Sequence, residues 1–146
     1  MAAGISKLLM TIGPRPLRNT ELKDNLIYSM PQLITIGKKM FRINVAENRL
    51  EYSNTNGILW VGRSKMGKMF GRLKDLLWFH DQLFALTETG IWRSRNEGAD
   101  WGKCGSGKIV ESLVALQDGG RYLYGMSADG HFYYSYNEGA DWGQRS

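Results

Sequence analysis

Ser94-Arg95-Asn96-Glu97-Gly98-Ala99-Asp100-Trp101 returns almost unchanged as Ser135-Tyr136-Asn137-Glu138-Gly139-Ala140-Asp141-Trp142. A worn copy precedes both, Ser53-Asn54-Thr55-Asn56-Gly57-Ile58-Leu59-Trp60, and the serines Ser53, Ser94 and Ser135 stand 41 residues apart each time. A fixed period of this length marks a repeat architecture whose unit is about four short strands, each unit stacking on its neighbours.

The shared pattern Ser-x-Asn-x-Gly-x-x-Trp has a mechanical reading. The short side chains of Ser94, Asn96, Ser135 and Asn137 can hydrogen-bond to nearby backbone and pin a tight turn, while Gly57, Gly98 and Gly139 supply positive φ. Trp60, Trp101 and Trp142 then open the following strand, each with a ring to bury beneath the turn and an indole N–H that needs a backbone acceptor. On these residues the three segments resemble Asp-box (bacterial neuraminidase) repeats, found in sialidases, sortilin-type receptors, photosystem assembly factors and phage adhesins. Asn96 and Asn137 stand where that family prefers Asp, and the first copy has Thr55. The resemblance covers residues 33–146 and implies an all-β fold of three Asp-box repeats forming β-propeller-like blades.

The sequence around each turn fits four antiparallel strands per unit. The first unit, about 33–73, offers strands at 33–36, 40–45 and 49–52; the second, about 74–114, at 76–79, 83–86 and 91–93; the third, about 115–146, at 113–116, 122–124 and 131–134. Residues 1–32 lack the repeat, and Gly13-Pro14-Arg15-Pro16 interrupts them, so they read as an N-terminal arm with a strand at Leu8–Ile12 and a short helix over Asn19–Met30. Three units fall short of the ~4 to 8 blades of a closed propeller. Closure by the arm, a six-bladed ring of two copies, and an open array capped by other subunits all satisfy the count; covering of the open edges by other chains is favoured, because bare edges are pairing sites.

The net charge of +5 is unevenly placed. Residues 1–73 hold twelve basic against four acidic side chains, and residues 74–146 seven against ten. Opposite halves favour head-to-tail association with the same or another protein subunit, and the basic half permits nucleic-acid contact, which is not the favoured reading. A single cysteine, Cys104, excludes an internal disulfide. No signal peptide or membrane-spanning stretch is read, which points to a virion or cytoplasmic location and no membrane partner.

Several motifs invite chemistry and are set aside on the residues themselves. Gly62-Arg63-Ser64-Lys65-Met66-Gly67-Lys68-Met69 follows a phosphate-binding loop until Met69 replaces the hydroxyl residue that would hold magnesium, so no nucleotide cofactor is expected. Phe41-Arg42-Ile43-Asn44 is similar to the sialidase Phe-Arg-Ile-Pro motif, whose arginine grips a substrate carboxylate, yet the same strand in the second unit reads Phe84-Ala85-Leu86. His80 and His131 stand apart from any cluster at ligand spacing, so no metal is expected. No catalytic residue is assigned. The candidate ligand or partner surface is Lys68, Lys103 and Lys108 in two glycine-rich basic loops, with Tyr133 and Tyr136 from the aromatic-rich last unit, suited to stacking a sugar or meeting a protein. The favoured function is a non-catalytic structural or docking module of a larger assembly, with a phage virion part such as tail, neck or fibre as the context the resemblance suggests. A small oligomeric carbohydrate-binding propeller is the alternative, and a sialidase-like glycosidase ranks last.

Overall fold

A computed structural model describes residues 31–64 and 70–145. The strand expected at Leu8–Ile12, the helix expected over Asn19–Met30, and Lys68 lie outside the described residues. The chain forms β1 (Ile34–Ile36), β2 (Lys39–Asn44), β3 (Arg49–Ser53), β4 (Val61–Ser64), β5 (Leu73–Phe79), β6 (Gln82–Thr87), β7 (Gly90–Ser94), β8 (Gly102–Gly105), a one-turn helix α1 (Lys108–Ser112), β9 (Leu113–Gly119), β10 (Tyr122–Ser127), β11 (Phe132–Ser135) and β12 (Gly143–Gln144). They make three four-stranded antiparallel sheets, each a meander in chain order: β1 to β4, β5 to β8, and β9 to β12.

Turn chemistry sets the registers. Between β5 and β6, Phe79 pairs with Gln82, leaving His80 and Asp81 as a two-residue loop with φ of 51° and 59°. Two consecutive left-handed residues give the hairpin turn whose twist matches its strands. The segments read as basic loops are partly regular: Lys103 lies in β8, and Lys108 opens α1, which buries Val110.

Burial periodicity explains why the sheets stack. In β2 only Phe41 and Ile43 of Lys39–Asn44 are buried, the alternation of a strand with one covered face. β6 has no such alternation: Leu83, Phe84, Ala85, Leu86 and Thr87 are all buried, so the middle sheet is covered on both faces. One core, between the first two sheets, joins Ile34, Phe41, Ile43 and Leu50 to Leu76, Leu83, Ala85 and Trp92. The other, between the second and third sheets, joins Leu77, Phe84, Leu86 and Ile91 to Leu113, Leu116 and Leu123.

The registers make the three sheets comparable position by position. Ser53 pairs with Met40, Ser94 with Leu83, and Ser135 with Leu123. On the opposite face, Phe41, Ile43 and Leu50 match Phe84, Leu86 and Ile91, and then Tyr124, Met126 and Phe132. The first two triads are sealed against the following sheet, whereas the third faces outward, with Met126 40% exposed. Phe84→Ala should therefore cost about 3 to 5 kcal/mol in urea unfolding of the isolated chain, and Phe132→Ala well under half of that. Equal losses would show that the outer face is as fully packed as the inner ones.

Candidate functional site

The repeated turn is held by one serine hydroxyl. Ser94 Oγ accepts the Gly98 N–H at 2.8 Å and donates to Asn96 Oδ1 at 2.8 Å, while Asn96 Oδ1 also accepts the Asp100 N–H at 2.9 Å. Asn96 Nδ2 reaches Asp100 Oδ2 at 2.7 Å. Ser135, Asn137, Gly139 and Asp141 repeat this set. In the first copy Ser53 Oγ still accepts the Gly57 N–H, at 2.9 Å, but the Thr55 hydroxyl serves where Asn does in the others, accepting from Leu59 N. All three indoles donate to the glycine carbonyl: Trp60 to Gly57, Trp101 to Gly98 and Trp142 to Gly139, at 2.8 to 3.0 Å. The rings are half-buried.

These turns also join neighbouring sheets. A Cβ on Gly98 would lie 2.8 Å from Leu50 of the preceding sheet, and one on Gly139 would lie 3.4 Å from Ile91. Around them, Arg63 donates to the carbonyls of Glu97 and Asn96, and Lys39 pairs with Glu97. One sheet further on, Arg93 and His80 both meet Glu138. His80 also stacks on Phe79 and bonds the Gly120 carbonyl; that bond and the carboxylate raise its pKa against a smaller opposing effect of burial.

Asp75 links β5, β9 and the incoming chain. Its buried carboxylate accepts the N–H groups of Gln32, Leu76 and Leu116 and the Gln32 side-chain amide, at 2.8 to 3.2 Å. Lys74 lies in a bulge of β5, which breaks the pairing register between Leu73 and Asp75. Burial pushes the Asp75 pKa up from an ordinary 3.8 to about 6, against the downward pull of these donors.

The stack leaves two unlike outer faces. On the first sheet Glu51, only 2% exposed, is held by Arg42, Arg49 and Asn44. Burial raises its pKa, and those hydrogen bonds more than offset that, leaving it below the usual range. Arg42, at the position of the sialidase-like arginine, is thereby paired, and its guanidinium lies 4.1 Å from the Trp60 ring centroid. The turn exposes Ile58 and Leu59, and β4 opens on the exposed Val61. On the third sheet Tyr122, Tyr124, Tyr134 and Phe132 form a run of rings with centroid spacings of 4.9 to 6.3 Å. Gly119 and Gly143 make room for them: a Cβ there would strike the rings of Tyr124 and Tyr134. Arg145 lies over Tyr134, and Arg121, Tyr122, Tyr134 and Tyr136 line a shallow pocket of about 460 Å³.

The residues named from sequence for a surface are dispersed. Tyr136 is exposed beside this pocket, but Tyr133 packs against the core between the second and third sheets, a correction to its outward placement. The cause is strand alternation: Tyr133 pairs with Gly125 and points inward, sending Tyr134 and Phe132 outward. Lys103 lies over the Trp92 ring, and Lys108 is exposed on α1. Tyr122, Tyr124 and Tyr134 were missed in the sequence, where their alternation marks a shared face but not which way it points; no local signal marked Asp75. Among the described residues no helix is long and apolar enough to cross a membrane.

No protein-family model matches the chain, and no curated protein does. Among solved structures it is similar to YCF48 from Cyanidioschyzon merolae, with 14% identity and a TM-score of 0.56, over 79% of this chain and 36% of that one. It is also similar to PorZ, a bacterial surface component of the type-IX secretion system of Porphyromonas gingivalis, with 15% identity and a TM-score of 0.59, over 79% and 16%. A GH74 xyloglucanase from Xanthomonas campestris gives 20% identity and a TM-score of 0.51, over 80% and 19%. The fold is thus β-propeller-like, and the chain spans about a third or less of the length of these structures.

Two outcomes test this geometry. Ser94→Ala leaves the buried Gly98 N–H without its acceptor and should cost about 1 to 3 kcal/mol, read from denaturant midpoints. For Asp75, the folded state holds a proton between pH 3.8 and about 6 that the unfolded state has released. Its contribution to stability is therefore full below pH 3.8 and falls by roughly 3 kcal/mol as pH rises to about 6. Unfolding free energies across this range should show that decline in the native chain and lack it in Asp75→Asn.

Proposed function

We propose that this chain is a non-catalytic docking module that joins other protein subunits through the outer faces of its sheet stack. The observation that carries the reading is the outer face of the third sheet. Tyr124, Met126 and Phe132 occupy the positions that Phe84, Leu86 and Ile91 fill inside the stack, so the repeat presents a packing face upon which, among the described residues, no sheet lies. The Asp-box resemblance suggests the context, a phage virion part such as tail, neck or fibre.

The electrostatics favour docking over hydrolysis. Most glycoside hydrolases cleave with two carboxyl groups facing one cleft. The buried carboxylates Glu51 and Asp75 are each filled by hydrogen bonds, and the pocket beside Tyr122 is lined by Arg121 and tyrosines.

A second reading, a carbohydrate-binding module, draws on one observation. The rings of Tyr124 and Tyr134 lie over glycines beside an arginine-lined pocket, a surface on which a sugar ring would stack. A glycan array and a panel of fluorogenic glycosides, both run on the intact chain, separate the readings. Docking predicts neither glycan retention nor turnover. Retention lost in Tyr122→Ala would favour the carbohydrate reading, and turnover lost in Arg42→Ala would sink the non-catalytic one.

A further inference from the structure

We infer that the partner of the third sheet's outer face is the first sheet's outer face of a second copy of this chain, so that two copies close a ring of six sheets. This rests on the docking reading above and names its partner. The repeat supplies the argument, because a side chain seated on a turn glycine is a contact made twice among the described residues and left half-made on the two outer sheets.

The first element of that set is a side chain on a glycine. Leu50 packs where a Cβ on Gly98 would sit, and Ile91 where one on Gly139 would sit. Phe132 is the next member of the series Leu50, Ile91, Phe132, and Gly57 is the remaining turn glycine. Gly98 and Gly139 are buried, while Gly57 is half-buried, and among the described residues a Cβ there would meet only Trp60 and Met40 of its own sheet within 4 Å. Among the described residues, Phe132 lacks a turn to cover and Gly57 lacks a cover.

Arginine supplies the second element. Arg63 reaches across to the turn carbonyls of Glu97 and Asn96 in the next sheet. The second sheet has Cys104 at this position, but Arg145 stands two periods of 41 residues after Arg63 and lies beside the outer aromatic face. Laid on a second copy by the same relation, its guanidinium meets the corresponding carbonyls of Asn56 and Thr55.

Charge gives the third, independent element. Residues 33–73 carry eight basic and two acidic side chains, and residues 115–146 two basic and four acidic. First unit against third is attractive, whereas first against first or third against third is repulsive, so the contact runs head to tail. Arg42 and Trp60 on the first sheet offer a guanidinium and an indole to the tyrosine rings opposite.

Cysteine cross-linking tests the pairing. Leu50 and Leu83 both crowd the site above Gly98, so the equivalent pair across copies is Phe132 and Met40. The native thiol of Cys104 is half-buried with a pKa pushed up to about 11 by burial, which keeps it out of exchange, and a Cys104→Ser background removes it altogether. Phe132→Cys and Met40→Cys chains, differently tagged and mixed under mild oxidation, should form a mixed disulfide that neither forms alone. The native mass of the unmodified chain should be twice the 16.6 kDa of one chain, returning to a single chain in Phe132→Ser. Self-linking of Phe132→Cys would overturn the head-to-tail pairing, and a chain that stays at single mass without cross-linking at any concentration would overturn the second copy as partner. Either result, obtained with no glycan retention and no turnover, leaves the docking reading standing; glycan retention would remove that reading itself.

Discussion

The constraint on which the rest depends is that, among the described residues, only the middle sheet has both faces dry. A sheet covered on one side balances its sequence between apolar and polar positions, whereas a sheet covered on both must be apolar at successive residues. Leu83-Phe84-Ala85-Leu86 meets that demand, with every side chain at 0% exposure. Alternate residues of one strand thus feed different cores: Leu83 and Ala85 the first, Phe84 and Leu86 the second. Loss of either outer sheet would wet half of β6, which couples the three sheets into one stack.

Apolar contact between sheets is non-directional, so polar contacts must fix how the sheets lie on one another. They concentrate at two places. At the turns, Arg63 and Lys39 fasten the first sheet to the Glu97 region, and Arg93 and His80 fasten the second to Glu138. Away from the turns, the Asp75 carboxylate gathers N–H groups from β5, β9 and Gln32. A buried carboxylate is costly, and four donors are what make it tolerable. In return it fixes β5 beside β9 and ties the chain entering β1 to both.

Much of this was legible in the sequence because turn chemistry is local. Ser94, Asn96, Gly98 and Trp101 are within eight residues of one another, and their hydrogen bonds follow from side-chain reach alone. The strand positions followed similarly from apolar runs bounded by Gly, Asn and Asp. Asp75 was not legible, since its partners Gln32 and Leu116 are 43 and 41 residues away in sequence. Tyr133 was misplaced because Phe132, Tyr133 and Tyr134 are adjacent aromatics; composition cannot say which of two alternating sets faces in, and only the pairing of Tyr133 with Gly125 decides it. The segment after Trp101 read as a loop because of its glycines, although backbone pairing does not need side chains and Gly102–Gly105 forms a strand.

The two ends of the stack solve exposure differently. The first sheet satisfies itself: Arg42, Arg49 and Asn44 surround Glu51, so its outward polar groups are already paired. The third sheet carries no such cluster and presents Tyr122, Tyr124, Tyr134, Phe132 and Met126 in its place. Tyrosine is suited to a surface that must be wet in one state and covered in another, because its ring packs while its hydroxyl remains hydrated or finds a partner. A face meant only for water would have little reason to lay two tyrosine rings over glycines; a face fully committed to a core would carry the Phe, Leu and Ile found at the same positions one sheet earlier. The third sheet lies between these limits, the character that the proposed docking role requires.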